Sequence, residues 1–273
     1  MSAPRMVALL SDFGADSFYV GVMKSAVLAA APRAHPVDLT HGIASHAVAQ
    51  GSYVLALAFR YFPKGTVFLA VVDPGVGSAR GAIVAERAGR FVVAPDNGLA
   101  TEAAPPAASR YYALDEKRLA RLRAQPAEGS TFQGRDVFAP AAGALAAGES
   151  VESVAAPIAE LAGLVGLPAL ALGPDRVRGA GRYVDAFGNV LTNIPAAEAA
   201  GALGAPIARV RVRAAGRELG TVGAFYAERP GGTLMAIANS WGMIEIAANE
   251  GRAIDQLGGG APEAVPVELE VTP

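Results

Sequence analysis

Apolar and polar positions give this chain two textures. Over the first 145 or so residues, short unbroken apolar runs alternate with longer segments of helical character. Residues 6–10 are apolar throughout and stop at Ser11-Asp12, the pattern of a strand covered on both faces. Residues 18–31 predict a helix that Pro32 stops, and 35–39 a second strand. Residues 47–62 predict a helix that Pro63 stops, and 67–72 a third strand ended by Pro74-Gly75. A hairpin is expected over 81–86 and 90–94, turning at Arg87-Ala88-Gly89, and a helix over 136–147 capped by Gly148. Strands alternating with helices predict an α/β fold with a layered, mostly parallel sheet.

From about Gly179 the segments shorten. β-like stretches at 181–184, 190–193, 208–214, 233–238, 243–247 and 264–270 are mostly separated by glycine turns, with few helix signals. They predict a second, smaller all-β domain. The expected division is an N-terminal α/β domain over 1–162, a Gly- and Pro-rich linker over 163–178, and a C-terminal β domain over 179–273.

Composition narrows the function classes. With 52% hydrophobic and 18% charged positions in 273 residues, the chain can build a substantial core. A net charge of −2 argues against a nucleic-acid or anionic-membrane partner. Cysteine is absent, which removes disulfides and thiolate metal sites. Residues 6–10 are too short for a secretory signal, and the apolar stretch 151–172 is broken by Glu152, Pro157, Glu160 and Pro168. The expected location is the cytoplasm.

Ligands of open α/β sheets bind at the carboxyl ends of strands. Three polar clusters fall there. In Ser11-Asp12-Phe13-Gly14, the Asp12 carboxylate can hold a pair of ribose hydroxyls, or serve only as a helix-entry turn. In the glycine-rich run 72–80, Asp73 and Arg80 can pair across the loop, as a working pair or as a salt bridge that shapes a turn. That loop is neither a dinucleotide fingerprint nor a Walker loop. In 131–136, Phe132 reads as an anchor and Asp136 as a helix cap. Asp96-Asn97-Gly98 is a turn signal. His35, His41 and His46 lack metal-ligand spacing and read as solvated or capping residues.

In the second half, Asp185-Ala186-Phe187-Gly188-Asn189 lies between two strand-like runs. Asn189 suits a purine edge, or a hairpin turn. Asn239-Ser240-Trp241-Gly242 followed by Glu245 is a similar case. Residue chemistry stops at a polar strand-end site with no metal, thiol or serine triad.

Eight stretches carry a family resemblance. They are SDFG at 11–14, YVGVMKS at 19–25, VDLTHGI at 37–43, YFPKGTVFLAVVDPGVGSAR at 61–80, APDNGLAT at 94–101, TFQGRDVFAPAA at 131–142, DAFGNVLTNI at 185–194 and NSWGMIEIAANEG at 239–251. In order, over about residues 6–260, they resemble the S-adenosylmethionine hydroxide adenosyltransferases, hydrolases related to fluorinase and chlorinase. The resemblance implies an N-terminal α/β domain, a C-terminal barrel-like β domain and a homotrimer with sites between subunits. It implies hydrolysis of S-adenosyl-L-methionine to adenosine and L-methionine by in-line attack of water or hydroxide at C5′, with no cofactor. It casts Asp73 and Arg80 as two of the three groups that handle the water. The third, a histidine in the family, is Gln133 here. Asp12 matches the carboxylate that binds the ribose hydroxyls. Asn189, Ser240, Glu245 and the backbone near Ala248 match the adenine side, with Tyr226 as a stacking partner. Asp185 and Phe187 match the methionine and ribose region.

Two further departures fall at the methionine end. The family usually carries an acid where this chain has Ser17, with Asp16 one residue earlier, and Trp241 stands where the halogenases use a charged residue. Glutamine bonds to water but takes no proton near neutral pH, so turnover slower than in a histidine version is expected. Two rival readings follow: a protein that binds adenosine or S-adenosylmethionine without turnover, and a halogenase. The family's halogenases carry Tyr at the position of Asp73, and a carboxylate there repels halide. A methyltransferase lacks support, since SDFGADS has a single glycine.

Overall fold

The structure, a computed structural model, describes residues 5–123 and 125–271. Two compact units divide the chain, one reaching to Gly166 and the other beginning at Leu167.

The first unit runs β1 (Met6–Ser11), α1 (Phe18–Ala30), β2 (His35–Thr40), α2 (Val48–Phe59), β3 (Val67–Val71), β4 (Ala82–Arg87), β5 (Arg90–Pro95), β6 (Arg110–Leu114), α3 (Glu116–Ala120), α4 (Ala139–Ala147) and β7 (Ala155–Ile158). Its sheet has the order β2-β1-β3-β5-β4-β6-β7. Pairing is parallel from β2 to β5 and antiparallel from β5 to β7, so the sheet is mixed. The switch comes from the Ala88-Gly89 turn, whose φ values of 48° and 74° are those of a two-residue hairpin. Such a turn joins only antiparallel neighbours.

The unbroken apolar runs form the middle of the sheet. Val7–Leu10 and Val67–Val71 are buried, as expected of strands covered on both faces. Helix α4 is made mainly of Ala and Gly and is buried along residues 139–146. It lies so close to α1 that a Cβ on Gly143 would stand 2.9 Å from Val27 O and 2.7 Å from Ala30 Cβ. The expected helix start at Asp136 is instead a π-helical turn over Gly134–Phe138. Asp136 is not its cap: it lies within the turn and pairs with Arg135 at 2.7 and 2.8 Å. Phe132 is an anchor, edge-on to Tyr19 at 4.9 Å and to Phe13 at 6.1 Å.

The second unit contains β8 (Ala171–Leu172), β9 (Arg176–Val184), β10 (Val190–Pro195), α5 (Ala196–Leu203), β11 (Val210–Ala214), β12 (Arg217–Thr221), β13 (Leu234–Ala238), β14 (Met243–Ala248), α6 (Ala253–Gln256) and β15 (Pro266–Val271). The antiparallel order β12-β11-β15-β9-β10-β14-β13 curls nearly closed. Just beyond β12, Gly223 N–H donates to Ala236 O at 2.8 Å and bridges to β13. Val177, Val190, Ile194, Val212, Ile244, Ile246 and Leu269 fill the interior. Two short helices, α5 and α6, accompany this barrel-like sheet. Among the described residues, no helix is long and apolar enough to cross a membrane.

Candidate active site

Strands β1 and β3 lie side by side in parallel, with Ser11 opposite Val71 at their carboxyl ends. The chain therefore delivers Asp12 and Asp73 to one edge of the sheet. The segment entering the π-helical turn brings Thr131, Phe132 and Gln133 to the same edge. Together with Ser45 and His46 they line a cleft of about 250 Å³. A larger groove of about 660 Å³, lined by Tyr111, Tyr112, Ile158 and Leu164 among others, holds none of the predicted site residues.

Asp73 and Arg80 form the salt bridge that their spacing allowed. Arg80 Nε donates to Asp73 Oδ1 at 2.9 Å, and a terminal guanidinium nitrogen reaches Oδ2. The pair is largely withdrawn from solvent, with side-chain exposures of 4% for Asp73 and 12% for Arg80. Gly75 N–H adds a bond to Oδ1 at 3.2 Å. Arg80 also donates to Gly81 O at 2.8 Å, and its guanidinium lies 5.3 Å above the Phe138 ring. The same guanidinium donates to Gln133 Oε1. Thus the structure joins Asp73, Arg80 and Gln133 into one network. Asn97 supports it from behind, donating to Val72 O at 2.8 Å.

Asp12 Oδ2 accepts the backbone N–H of His46 at 2.9 Å. His46 holds φ at 64°, the left-handed region, so this short connection into α2 wraps toward the carboxylate. His41 differs from its expected solvated or capping role. It is buried, with Nε2 3.0 Å from Asp38 Oδ1 and Nδ1 2.7 Å from Ser11 Oγ. A carboxylate only accepts, so in the neutral ring Nε2 donates to Asp38 and Nδ1 accepts from Ser11. Its carbonyl accepts Gly14 N–H at 2.8 Å, tying down the loop that carries Asp12. His46 is a cleft residue that sequence reasoning passed over. Its only signal was its place just after VDLTHGI, and no spacing rule marks that.

The second unit gathers the remaining candidates in two neighbouring clusters. Asp185 Oδ1 accepts the N–H groups of Phe187 and Asn189, each at 2.9 Å, while Oδ2 accepts Asn189 Nδ2 at 3.2 Å. Asn189 is buried, whereas Phe187 is 76% exposed at the tip of the turn. On β14, buried Glu245 accepts Tyr226 O–H and Asn239 Nδ2, both at 2.9 Å. Burial pushes the Glu245 carboxyl above its ordinary range, against the lowering effect of these two bonds. Burial, then the Glu245 bond and charge, push the Tyr226 phenol up to about 12. The Asp185 charge adds to both shifts, which sets it beside this cluster. Ser240 is exposed in the turn before β14, and Ala248 is buried at the strand's end. Asp12, Asp73, Arg80 and Gln133 belong to the first unit, and the other seven candidates to the second.

These features define an α/β unit with a half-buried aspartate–arginine ion pair at its strand ends, followed by a barrel-like β unit with polar clusters of its own. Residues 7–155 match the SAM hydroxide adenosyltransferase N-terminal domain, and residues 182–265 match the C-terminal domain of that family. The (R)-S-adenosyl-L-methionine hydrolase of Thermus thermophilus is 40% identical over 273 residues, covering 97% of this chain and 99% of its own. A fluorinase of Actinoplanes is more distant, 26% identical over 55% of this chain and 57% of its own. The crystal structure of a conserved protein from Thermotoga maritima matches with a TM-score of 0.86 and 34% identity, over 97% of this chain and 99% of that one. The chain belongs to the SAM hydroxide adenosyltransferase family.

Proposed function

We propose that this chain hydrolyses S-adenosyl-L-methionine to adenosine and L-methionine. The observation that carries the reading is the half-buried Asp73–Arg80–Gln133 network at the edge of a cleft that Asp12 also lines. Water attacks C5′ from the side opposite sulfur. The C5′–S bond breaks and its electron pair neutralises the sulfonium, so methionine leaves as a neutral thioether without a proton. What the reaction needs is a positioned nucleophile, and alignment alone can supply about 7–11 kcal/mol in favourable cases. Asp73 orients the water through the remaining acceptor capacity of its carboxylate, while Arg80 and Gln133 hold Asp73 in place. The reaction balances without a cofactor.

Asp12 takes the ribose hydroxyls in this reading. Asn189 already donates its amide N–H to Asp185, which leaves Oδ1 to accept from the adenine amino group. Ser240, Glu245 and the backbone at Ala248 complete the adenine side, and Tyr226 stacks on the base with its hydroxyl anchored by Glu245. Asp185 and Phe187 face the methionine and ribose region. The assembly proposed is a homotrimer, each site pairing the first unit of one subunit with the second unit of another. The name of the Thermus relative specifies the (R) sulfonium, and we extend that preference to this chain.

The test is a chromatographic time course with each sulfonium epimer in ¹⁸O-labelled water. Labelled adenosine appearing with methionine, faster from the (R) epimer, is the expected result. Binding without adenosine would make the chain a nucleoside-binding protein instead. A 5′-halogenated nucleoside formed in chloride or fluoride would reverse the choice of water over halide that the Asp73 carboxylate favours.

A further inference from the structure

We propose that His46 is the proton acceptor for the hydrolytic water, an inference that rests on the hydrolase reading above. When the water oxygen bonds to C5′ and the C5′–S pair goes to sulfur, the new adenosine oxygen still carries the extra proton of the water. The thioether does not take it, so a group lining the cleft must.

Three titratable side chains line the cleft: Asp12, His46 and Asp73. Asp73 is committed to Arg80 through both oxygens and accepts Gly75 N–H as well. Protonating it would leave the Arg80 charge unpaired in a nearly closed environment, a costly arrangement. Gln133 takes no proton, and its single oxygen faces the Arg80 guanidinium. Arginine has no acceptor, so the amide oxygen must face it, and the amide nitrogen is the group left for water. Gln133 and Arg80 therefore offer the water donors, not a base. Asp12 holds the His46 N–H through Oδ2 and is assigned to the ribose.

His46 remains, and an imidazole, unlike an amide or a guanidinium, can take up a proton near neutral pH. Among the described residues, its imidazole makes no hydrogen bond, and the residue is exposed, so a captured proton can pass to solvent. Its backbone is held in place: the N–H donates to Asp12, and the carbonyl accepts Val48 N–H at 2.9 Å. The φ of 64° is left-handed, a conformation uncommon for residues other than glycine. The charges facing it are Asp12 through its own backbone and Asp73, with Arg80 behind, across the cleft.

Two variants separate proton transfer from a structural role. Asn and Gly both accept left-handed backbone, so His46→Asn and His46→Gly keep the connection and its N–H bond to Asp12. The measurement is kcat and KM from pH 5 to 9 for the unaltered chain and both variants, with and without added imidazole. The expected results are a kcat loss of about 100-fold with KM little changed, disappearance of the acid limb, and partial recovery of His46→Gly by imidazole. A His46→Asn enzyme that keeps the original rate and acid limb overturns the proposal while leaving the hydrolase reading intact. A loss confined to KM, without imidazole rescue, also overturns it and makes His46 a support for Asp12. If the unaltered chain forms no adenosine, the hydrolase reading fails and takes this inference with it.

Discussion

Gln133 Oε1 accepts a hydrogen bond from the Arg80 guanidinium, across 53 positions of sequence. That bond turns an amide into a brace for a charged pair. A histidine at 133 could brace Arg80 only through an unprotonated nitrogen, and would bring a second imidazole to the cleft beside His46. Gln133→His is therefore expected to raise kcat by about tenfold and to add a pH-dependent limb. Steady-state rates from pH 5 to 9 check this. No gain in rate would count against a water-handling role for position 133.

Removing the partner of Arg80 should affect stability and rate separately. In Asp73→Asn the guanidinium keeps a neutral acceptor but loses its countercharge. The expected stability loss is about 1.5–3 kcal/mol, the value of a hydrogen bond to a charged group. The expected fall in kcat is at least about 100-fold. Denaturant melts and rates taken well below the melting point distinguish the two. A variant that is stable and fully active would remove Asp73 from the mechanism.

Asp12 is predicted to act on binding. Asp12→Asn weakens a charge-assisted grip on two ribose hydroxyls, about 1.5–3 kcal/mol, or roughly 10- to 150-fold. The expected change lies in KM, with kcat altered much less. Isothermal titration with adenosine provides an independent reading, and unchanged affinity would exclude the ribose assignment.

Glu245 makes a prediction about pH. Its carboxyl titrates higher in the fold than in the unfolded chain because burial disfavours the charge. The folded state then binds more protons as pH rises from about 4.5, so stability falls over that window. Glu245→Gln removes this loss, since an amide can accept from Asn239 and donate to the Tyr226 oxygen. The melting temperatures of variant and unaltered chain should agree near pH 4.5 and diverge in favour of the variant by pH 7.5. A gap that does not widen with pH would overturn the argument, while weaker adenosine binding by the variant is expected in either case.

Gly143 tests the packing of α4 against α1. An added Cβ would press on Val27 O and Ala30 Cβ of α1. Gly143→Ala should cost about 1–3 kcal/mol through overpacking, measured by urea denaturation. A neutral effect would show that α1 can withdraw without cost.

The chain's own pattern was enough to read the central strands and the placement of two carboxylates. Residues 6–10 and 67–72 are apolar without alternation because β1 and β3 are covered on both faces, and each run ends where the chain reaches the polar sheet edge. Asp12 and Asp73 were legible for that reason, as was the seven-residue reach from Asp73 to Arg80. Less legible were β6, β7 and β12, which are short and lie toward sheet edges, where alternation is weak. Helix α5 was hidden in an Ala-rich stretch of uniform composition.

Long-range geometry decided the rest. Local residues do not say that Gln133 meets Arg80, that Asn239 and Tyr226 both donate to Glu245, or that His41 is sealed between Asp38 and Ser11. His46 could not be distinguished from a solvated histidine until its loop was seen to close on Asp12. Sequence periodicity reports which face of an element is covered, because burial repeats along the element. It carries no record of which distant polar groups complete one another, because each such pairing is made only once, when the sheet brings its strand ends together.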